Sequence, residues 1–517
     1  MKTPLLTLVL LHCCLNTHAD SWTNRYDGPA ATNDIAQALA TDAAGNVFVT
    51  GYNTGGPNGN DAVTICYNAD GTPRWTNIYN GPANLNELGR AVAVNGNGTV
   101  FVTAQSYSSS TLSDIATLAY DNNGAPLWTN LYHGTGSKLD APCGIATDSA
   151  GDVYVAGRSS TTTGLGGYCF VTLKYSAAGV PLWTNFYASP AHDDEPTAMI
   201  VTANGGVDVT GYSSNSLSTN LYATVAYTGA GQPLWTNLYG GYGSPFPVSH
   251  ATAIAADSAG NAYVTGWSGI QGQPSSCFTI KYSSAGTPLW SAYYAGQAGG
   301  ASTATAIAVD RNGNAFITGA ARNSSGIADF ATVGYSTDGH PLWTNRYAGT
   351  SALGGGTAIA ADVAGNVIIS GYGVHLSFMD YITIKYTPSG KPAWTNTFNG
   401  PGARDDEANA LALDAVGDIF VTGYSTAKGG NIDFATLKYA APPPLSIIAT
   451  NSNFGIMSGQ FGFDLNGPLG SSVAVQYTTN LVSWTNLWSG SLSTVPLHVA
   501  AGAPSLSQRF YRVKILP

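Results

Sequence analysis

The chain has 517 residues, of which 9% are charged and 44% hydrophobic, with 63 Gly, 29 Tyr and 11 Trp. Charge this sparse is far below the soluble average of about 25%, yet the apolar content rules out disorder, leaving several folded domains or one large repetitive one. The 19 basic against 29 acidic residues give a net −10, and no basic run exists to neutralise phosphates, which argues against nucleic acid as a partner.

Residues 1–19 read as an export signal: Lys2 is the positive n-region, Leu5 to Leu15 an apolar stretch, and Thr17-His18-Ala19 puts a small residue before the cut. A lipoprotein cut before Cys13 is disfavoured by bulky His12. The stretch is too short to span a bilayer and no later run reaches 18 apolar residues, so no transmembrane segment is expected in the mature chain. The expected location is secreted and extracellular, or periplasmic and on the cell surface. Removing the signal also removes Cys13 and Cys14, leaving Cys66, Cys143, Cys169 and Cys277 with no CxxC spacing, so zinc is not indicated.

From residue 20 a Trp followed by Thr-Asn recurs, with small variations, at Trp22, Trp75, Trp128, Trp183, Trp235, Trp290, Trp343 and Trp394. The intervals are 53, 53, 55, 52, 55, 53 and 51 residues. A period near fifty with regular Gly and aromatics predicts propeller blades. Each period holds four β-like segments: an Ala-rich strand (ATAIAAD, 251–257), a second such as NVFVTGY (46–52), a third such as DFATLKY (433–439), and PLWTN-x-Y after a G-x-P turn. Thr stands three residues before the closing Tyr of every third strand, from Thr64 to Thr436, and Gly closes every second strand except at Ala104. The small residues of the first strand suit the crowded axis of a ring. The Trp strand is then outermost, its indole against the neighbouring blade. The first Trp strand precedes everything and the last third strand lacks one, so the N-terminal SWTNRY is expected to complete the final blade and remove an open edge. The predicted fold is all-β: an eight-bladed propeller of four-stranded blades over 20–440.

The units resemble the bacterial SBBP-type β-propeller repeat, through segments such as DSAGNAYVTGW (257–267) and FTIKYSSAGTPLW (278–290). That resemblance implies a propeller and an exported protein, and assigns no activity. After Tyr439 a Pro-rich linker is expected at 441–446. Residues 447–517 hold the strand-like runs GQFGFDL, SVAVQYTT, VSWTNLW and FYRVKIL. This tail has three basic residues and one acidic, against 15 and 28 in the propeller. A small C-terminal β-sandwich of the immunoglobulin or fibronectin kind is expected, resembling modules appended to secreted bacterial proteins. Cys143 and Cys169 fall in first and third strands of one blade, about 9.6 Å apart, beyond the reach of about 7 Å for a disulfide. Buried free thiols are expected.

Strand direction puts the long, variable loops, such as NTGGPNGN and RNSSGIA, on one face and tight turns on the other, so binding is expected on the long-loop face. Asp34, Glu87, Asp140, Asp194 and Asp406 occupy one repeat position, with Ser249, Ser302 and Gly354 in the other units. At the channel mouth they could offer oxygen ligands to Ca²⁺; the favoured reading is that each accepts backbone N–H groups in its own loop. A second set, Asp61, Asp114, Asp329, Asp380 and Asp433, opens third strands and is read as turn capping. DRNGN (310–314) is like the start of a calcium loop, but Ala321 stands where the closing Glu belongs.

No G-x-S-x-G elbow precedes a helix, and His192 beside Asp193 reads as a surface pair. The G-x-x-x-W spacing of GTPRW (71–75) is similar to the docking motif of eight-bladed quinoprotein dehydrogenases, which typically have adjacent cysteines near the cofactor; the mature chain has none. The expectation is therefore no catalytic, cofactor or metal residues, no cofactor and no enzyme. The expected function is a monomeric, exported, non-enzymatic scaffold that binds a protein or a polysaccharide through its long-loop face. The alternatives are a carbohydrate-active enzyme or lectin, and a calcium-stabilised structural ring.

Overall fold

The structure, a computed structural model, describes residues 21–515 apart from 57–58, 110–111, 137–138, 161–166, 191–192, 215–218, 241–246, 271–273, 349–350, 376–377, 442–445, 449–454, 458–459, 468–470, 479–482, 493–496 and 501–509. The expected export signal, most of the expected linker and His192 lie outside the described residues. The chain divides into two compact units, Ser21–Tyr439 and a second that takes in the chain from Ala440 onward.

The first unit is built from antiparallel meanders. Asp34–Thr41, Val47–Gly56, Gly59–Tyr67 and Pro73–Tyr79 form the first four-stranded sheet in sequence order, and 87–132 and 141–187 repeat it. Over 194–294 and again over 302–398, two successive meanders are joined into an eight-stranded sheet by a single parallel bridge, Asn220 to Val248 and Ala328 to Leu353. The last sheet takes strands from both ends of the unit. Trp22–Tyr26 pairs with Ile432–Tyr439, in register from Trp22 opposite Lys438 to Tyr26 opposite Phe434, beside Ile419–Thr426 and Asp406–Leu413. The one described helical element in this unit is a single 3-10 turn at Gln297–Gly299.

The first strand of each meander carries a β-bulge, as between Ala36 and Ala38 or Ala408 and Ala410. The second strands run on past the glycine expected to close them, as Val47–Gly56 does past Gly51, and the bulge explains that glycine. A Cβ on Gly51 would lie 2.0 Å from the Ile35 carbonyl oxygen, and one on Gly211 2.0 Å from that of Glu195. In the second meander the glycine has moved across the pair: Gly89 faces Ala104. The bulged residue also reaches the next meander. Thr197 donates to the Ala251 carbonyl at 2.9 Å, Thr252 to Ala304 at 2.8 Å, Thr305 to Gly356 at 2.5 Å and Thr357 to Ala408 at 2.6 Å. Asn409 Nδ2 continues the series from the last meander back to the first, donating to the Ala36 carbonyl at 2.8 Å. Thr41 Oγ1 adds a bond to the Leu413 carbonyl at 3.0 Å.

The Trp-Thr-Asn sequence forms the outer seam. Trp75 Nε1 donates to the Asn122 carbonyl at 3.1 Å and Asn77 Nδ2 to that of Gly124 at 2.8 Å, both in the turn between third and fourth strands of the following meander. Trp128 with Asn130, Trp183 with Asn185, Trp235 with Asn237 and Trp343 with Asn345 repeat this. Trp22 and Asn24 make the same bonds to Ala69 and Gly71 of the first meander. The turn glycine has φ near +80°, and the indole lies where its side chain would be: a Cβ on Gly124 (φ +82) would sit 2.7 Å from the Trp75 ring. Between neighbouring meanders lie apolar clusters such as Phe101, Ile115, Val153, Val155, Val171 and Leu173. In five meanders the repeated third-strand Thr meets a second-strand Thr within hydrogen-bond distance, for example Thr224 with Thr210 at 2.9 Å.

In the C-terminal unit Ser446–Ile448, Gly455–Met457, Gln460–Asn466 and Leu497–Ala500 share one sheet, and Ser472–Thr478, Thr485–Ser491 and Phe510–Ile515 another. Phe463, Leu465, Val473, Val475, Leu492 and Val499 make one buried cluster.

The seam gives a direct test. Gly205 has φ +74 with nothing within 4 Å of an added Cβ, so Gly205→Ala should cost only the strain of a left-handed alanine, about 1 kcal/mol. Gly124→Ala adds displacement of the Trp75 indole and should cost at least about 3 kcal/mol, comparable to Trp75→Ala. Urea unfolding midpoints of the three variants measure the difference.

Candidate functional site

The first acidic set does not form an exposed ring. Asp34, Glu87, Asp194 and Asp406 are 0% exposed and Asp140 2%. They stand at the first residue of the inner strand or just before it, and accept bonds from their own loops. Asp34 Oδ2 takes the Gly28 N–H at 2.5 Å, Asp194 the Ser189 N–H at 2.7 Å, Asp140 those of Gly134 and Ser160, and Asp406 those of Gly400 and Thr426. Glu87 accepts from the Ser106 hydroxyl at 3.3 Å. Burial raises Glu87, Asp140 and Asp406 above the ordinary carboxylate range and lifts Asp34 to about 6.

The second set lies within the third strands, and two of its members are held by ion pairs. Asp433 and Asp329 each accept a 2.8 Å ion pair from an arginine on the adjacent outer strand, Arg25 and Arg346. Ligand oxygens of Asp27, Asp34 and Asp433 lie within 4.8 Å of one another where the chain ends meet, with the Arg25 guanidinium as counter-charge. At DRNGN, Asp310 Oδ1 accepts the N–H groups of Asn312 and Asn314, which makes the segment a turn. The four described cysteines are free, and burial pushes the Cys66 and Cys277 thiols up to about 12.

Chemically dense side chains gather one residue further along the same strands. Across first and second strands the register pairs Ala141 with Arg158, Glu195 with Tyr212, His250 with Trp267 and Glu407 with Tyr424. All but Ala141 carry polar or aromatic groups, all are half-buried, and neighbours join across meanders. Arg158 pairs with Glu195 of the next meander at 2.9 Å and covers the Tyr168 ring at 4.7 Å. Tyr212 lies 4.0 Å from the His250 ring of the next meander, which stacks on Trp267 at 4.4 Å. Burial holds His250 below the ordinary imidazole range.

The equivalent position in the last sheet opens into a cleft of about 420 Å³ lined by Ile35, Phe378, Arg404, Asp405, Tyr424 and Thr426, among others. The Tyr424 hydroxyl donates to Glu407 Oε2 at 2.9 Å. Burial, and then the negative charge of Glu407, raise Tyr424; burial raises Glu407 above its usual range, against the Tyr424 hydrogen bond that lowers it. Asp405 is fixed by the Met379 N–H at 3.0 Å and by Thr426, whose hydroxyl donates to its carbonyl at 2.6 Å. The cleft thus presents a guanidinium, a carboxylate, a phenol that is hydrogen-bonded to Glu407, and apolar side chains. The sequence contained one signal for this girdle: of the seven second-strand glycines, five are followed by Tyr or Trp (Tyr52, Tyr212, Trp267, Tyr372 and Tyr424) and one by Arg158, the exception being Ala320.

The acidic seam has a pH signature. Asp34 is about 6 in the fold against 3.8 when solvated, so the folded chain holds a proton that the unfolded chain has lost between those values. Asp34 therefore lowers stability above pH 6 and ceases to do so as pH falls towards 4. Between pH 7.5 and 5.0 the wild type should gain more urea resistance than Asp34→Asn, the difference measuring this one group.

Among known families, a β-propeller repeat model matches residues 289–322. No curated protein sequence matches the chain. Solved structures similar in fold include a PL25 polysaccharide lyase, an ulvan lyase (9% identity, TM-score 0.42, covering 80% of this chain and 95% of that one). They also include the polysaccharide lyase Uly1 (10%, TM-score 0.42, 82% and 93%) and the α-L-arabinofuranosidase Arb93A from Fusarium graminearum (10%, TM-score 0.38, 82% and 98%). The expectation that the chain is not an enzyme is corrected to the extent that these similar structures are two polysaccharide lyases and a glycosidase; at such identities and TM-scores they assign no activity to the chain. The recurring four-stranded meanders and the matched repeat make the chain a β-propeller repeat protein.

Proposed function

We propose that the chain is a carbohydrate-active propeller whose glycan-binding groups lie at the long-loop end of its first and second strands, in the girdle from Arg158 to Trp267 and in the cleft around Tyr424. The observation that carries this reading is the continuous set Arg158, Glu195, Tyr212, His250 and Trp267, with Tyr424, Arg404 and Asp405 in the cleft. Aromatic faces take the apolar faces of sugar rings, and the fixed guanidinium and carboxylate groups take hydroxyls. The Tyr424 hydroxyl lines the cleft and donates to Glu407, which burial raises, so that this pair is the one placed to exchange a proton with a bound sugar through the phenol.

The same reading takes the meanders as eight blades of one ring. It is supported by the shared last sheet and by the bonds from Asn409 to Ala36 and from Trp22 to Ala69. With it go an export signal over 1–19, action outside the cytoplasm, and a β-sandwich module over 447–517.

A polysaccharide panel tests the function by titration calorimetry and by release of new chain ends. Trp267→Ala and Tyr212→Ala should each weaken binding by about 1 kcal/mol. Glu407→Gln should abolish turnover while binding persists. Binding without turnover by the wild type makes the site a lectin's; no binding to any glycan, or binding indifferent to the two aromatic substitutions, rejects it.

A further inference from the structure

One meander breaks the repeat at the tight-turn end of the strands, away from the girdle. Second and third strands pair a large apolar residue with its partner in seven meanders: Phe48 with Cys66, Phe101 with Ala119, Tyr154 with Lys174, Tyr263 with Lys281, Phe316 with Gly334, Ile368 with Lys385 and Phe420 with Lys438. In the meander over 194–239 the pair is Asp208 with Ala226. Asp208 is 5% exposed, and among the described residues it has no hydrogen bond or ion pair. It lines a cavity of about 110 Å³ with Thr202, Asn204, Tyr227, Gly229 and Ser284. Asn204 and Ser284 are exposed, so the cavity has a solvent-facing rim.

The four meanders with a lysine there show what fits. Lys174 Nζ lies 3.1 Å from Asp148 Oδ2, 4.6 Å from the centre of the Tyr154 ring and 3.1 Å from the Gly229 carbonyl of the next meander. That carbonyl also accepts the Trp183 indole N–H at 3.1 Å. Lys281 and Trp290 share the Thr337 carbonyl in the same way, as Lys438 and Trp22 share that of Ala69. In the exceptional meander the turn acid has become Thr202, the lysine Ala226 and the ring Asp208. The matching carbonyl, Ser284, accepts only the Trp235 indole at 3.1 Å among the described contacts. A buried carboxylate, a carbonyl with one described partner and a cavity thus stand where four of the other meanders hold their own ammonium group.

We propose that this cavity is a binding site for a primary alkylammonium group, which takes the place of the missing lysine head between Asp208 and the Ser284 carbonyl. The site lies apart from the glycan girdle and does not depend on it. Burial without a partner pushes Asp208 up to about 7, the condition that a bound cation relieves. A primary ammonium is selected over a quaternary one because its N–H groups can meet both oxygens.

The test is thermal unfolding of the whole chain at pH 8.5, with Trp fluorescence, in ethylammonium chloride against equal KCl and tetramethylammonium chloride. Ethylammonium should raise the wild-type melting temperature above both controls. Asp208→Asn should remove that response. Ala226→Lys, which restores the repeat's own ammonium, should also remove it and melt higher than wild type without added amine. A wild-type response no larger than in KCl, or one retained in Asp208→Asn, overturns the proposal. Nα-acetyl-lysine methylamide forms a further arm: tighter binding than ethylammonium makes a protein lysine the source of the group, and weaker binding a free amine.

Discussion

Everything in the larger unit depends on an indole seated on a glycine of the next meander. The turn between third and fourth strands needs a residue at positive φ, where glycine is at no disadvantage. The absent side chain is then the space the neighbouring Trp fills, and the carbonyls of the same turn receive its N–H and the Asn amide two residues on. A single tripeptide thereby fixes how one sheet sits on the next, with apolar burial and two directional bonds together. Near the axis the bulged residue does the same work with one hydroxyl. The outer line of contact, joined by the inner one in the later meanders, holds neighbouring sheets against each other, and this repetition lets so weakly charged a chain keep a large folded unit.

The repeat was legible because it obeys constraints of this local kind. Strand order, the role of the N-terminal strand and the placing of Trp against a neighbour all follow from a period and from residue size. The function of the second-strand glycine was half visible. Its smallness could be read, but its cause, a carbonyl pushed inward by a bulge in the facing strand, could not, because no residue type marks the bulge; Thr, Asn, Arg, Gln and Cys all occupy it.

The candidate site was less legible for the opposite reason. Asp34 and its equivalents drew attention because they recur, and recurrence is what a structural role produces: they are buried acceptors for loop amides. The girdle residues differ from one meander to the next, so self-comparison passes over them. Tyr212, His250 and Trp267 come together only when adjacent meanders are placed side by side. Asp208 was invisible for a related reason. A carboxylate on a strand looks like a solvent-facing residue until the register places it opposite Ala226, in a position that elsewhere holds a ring.

The last sheet also sets an order of events for the chain. Trp22–Tyr26 is the earliest described strand to be synthesised, and its partner, Ile432–Tyr439, lies some four hundred residues downstream. Until that partner exists, the first strand has no sheet to join, and the first meander faces water on the side that Trp22 later covers. Earlier meanders can gain structure one against another as they appear, since their contacts are between neighbours in sequence. Closing the two ends is a single non-local step at the end, and its cost in chain entropy falls on one five-residue strand. Synthesis and completion thus run in opposite directions at this seam: the segment made first is the one placed last.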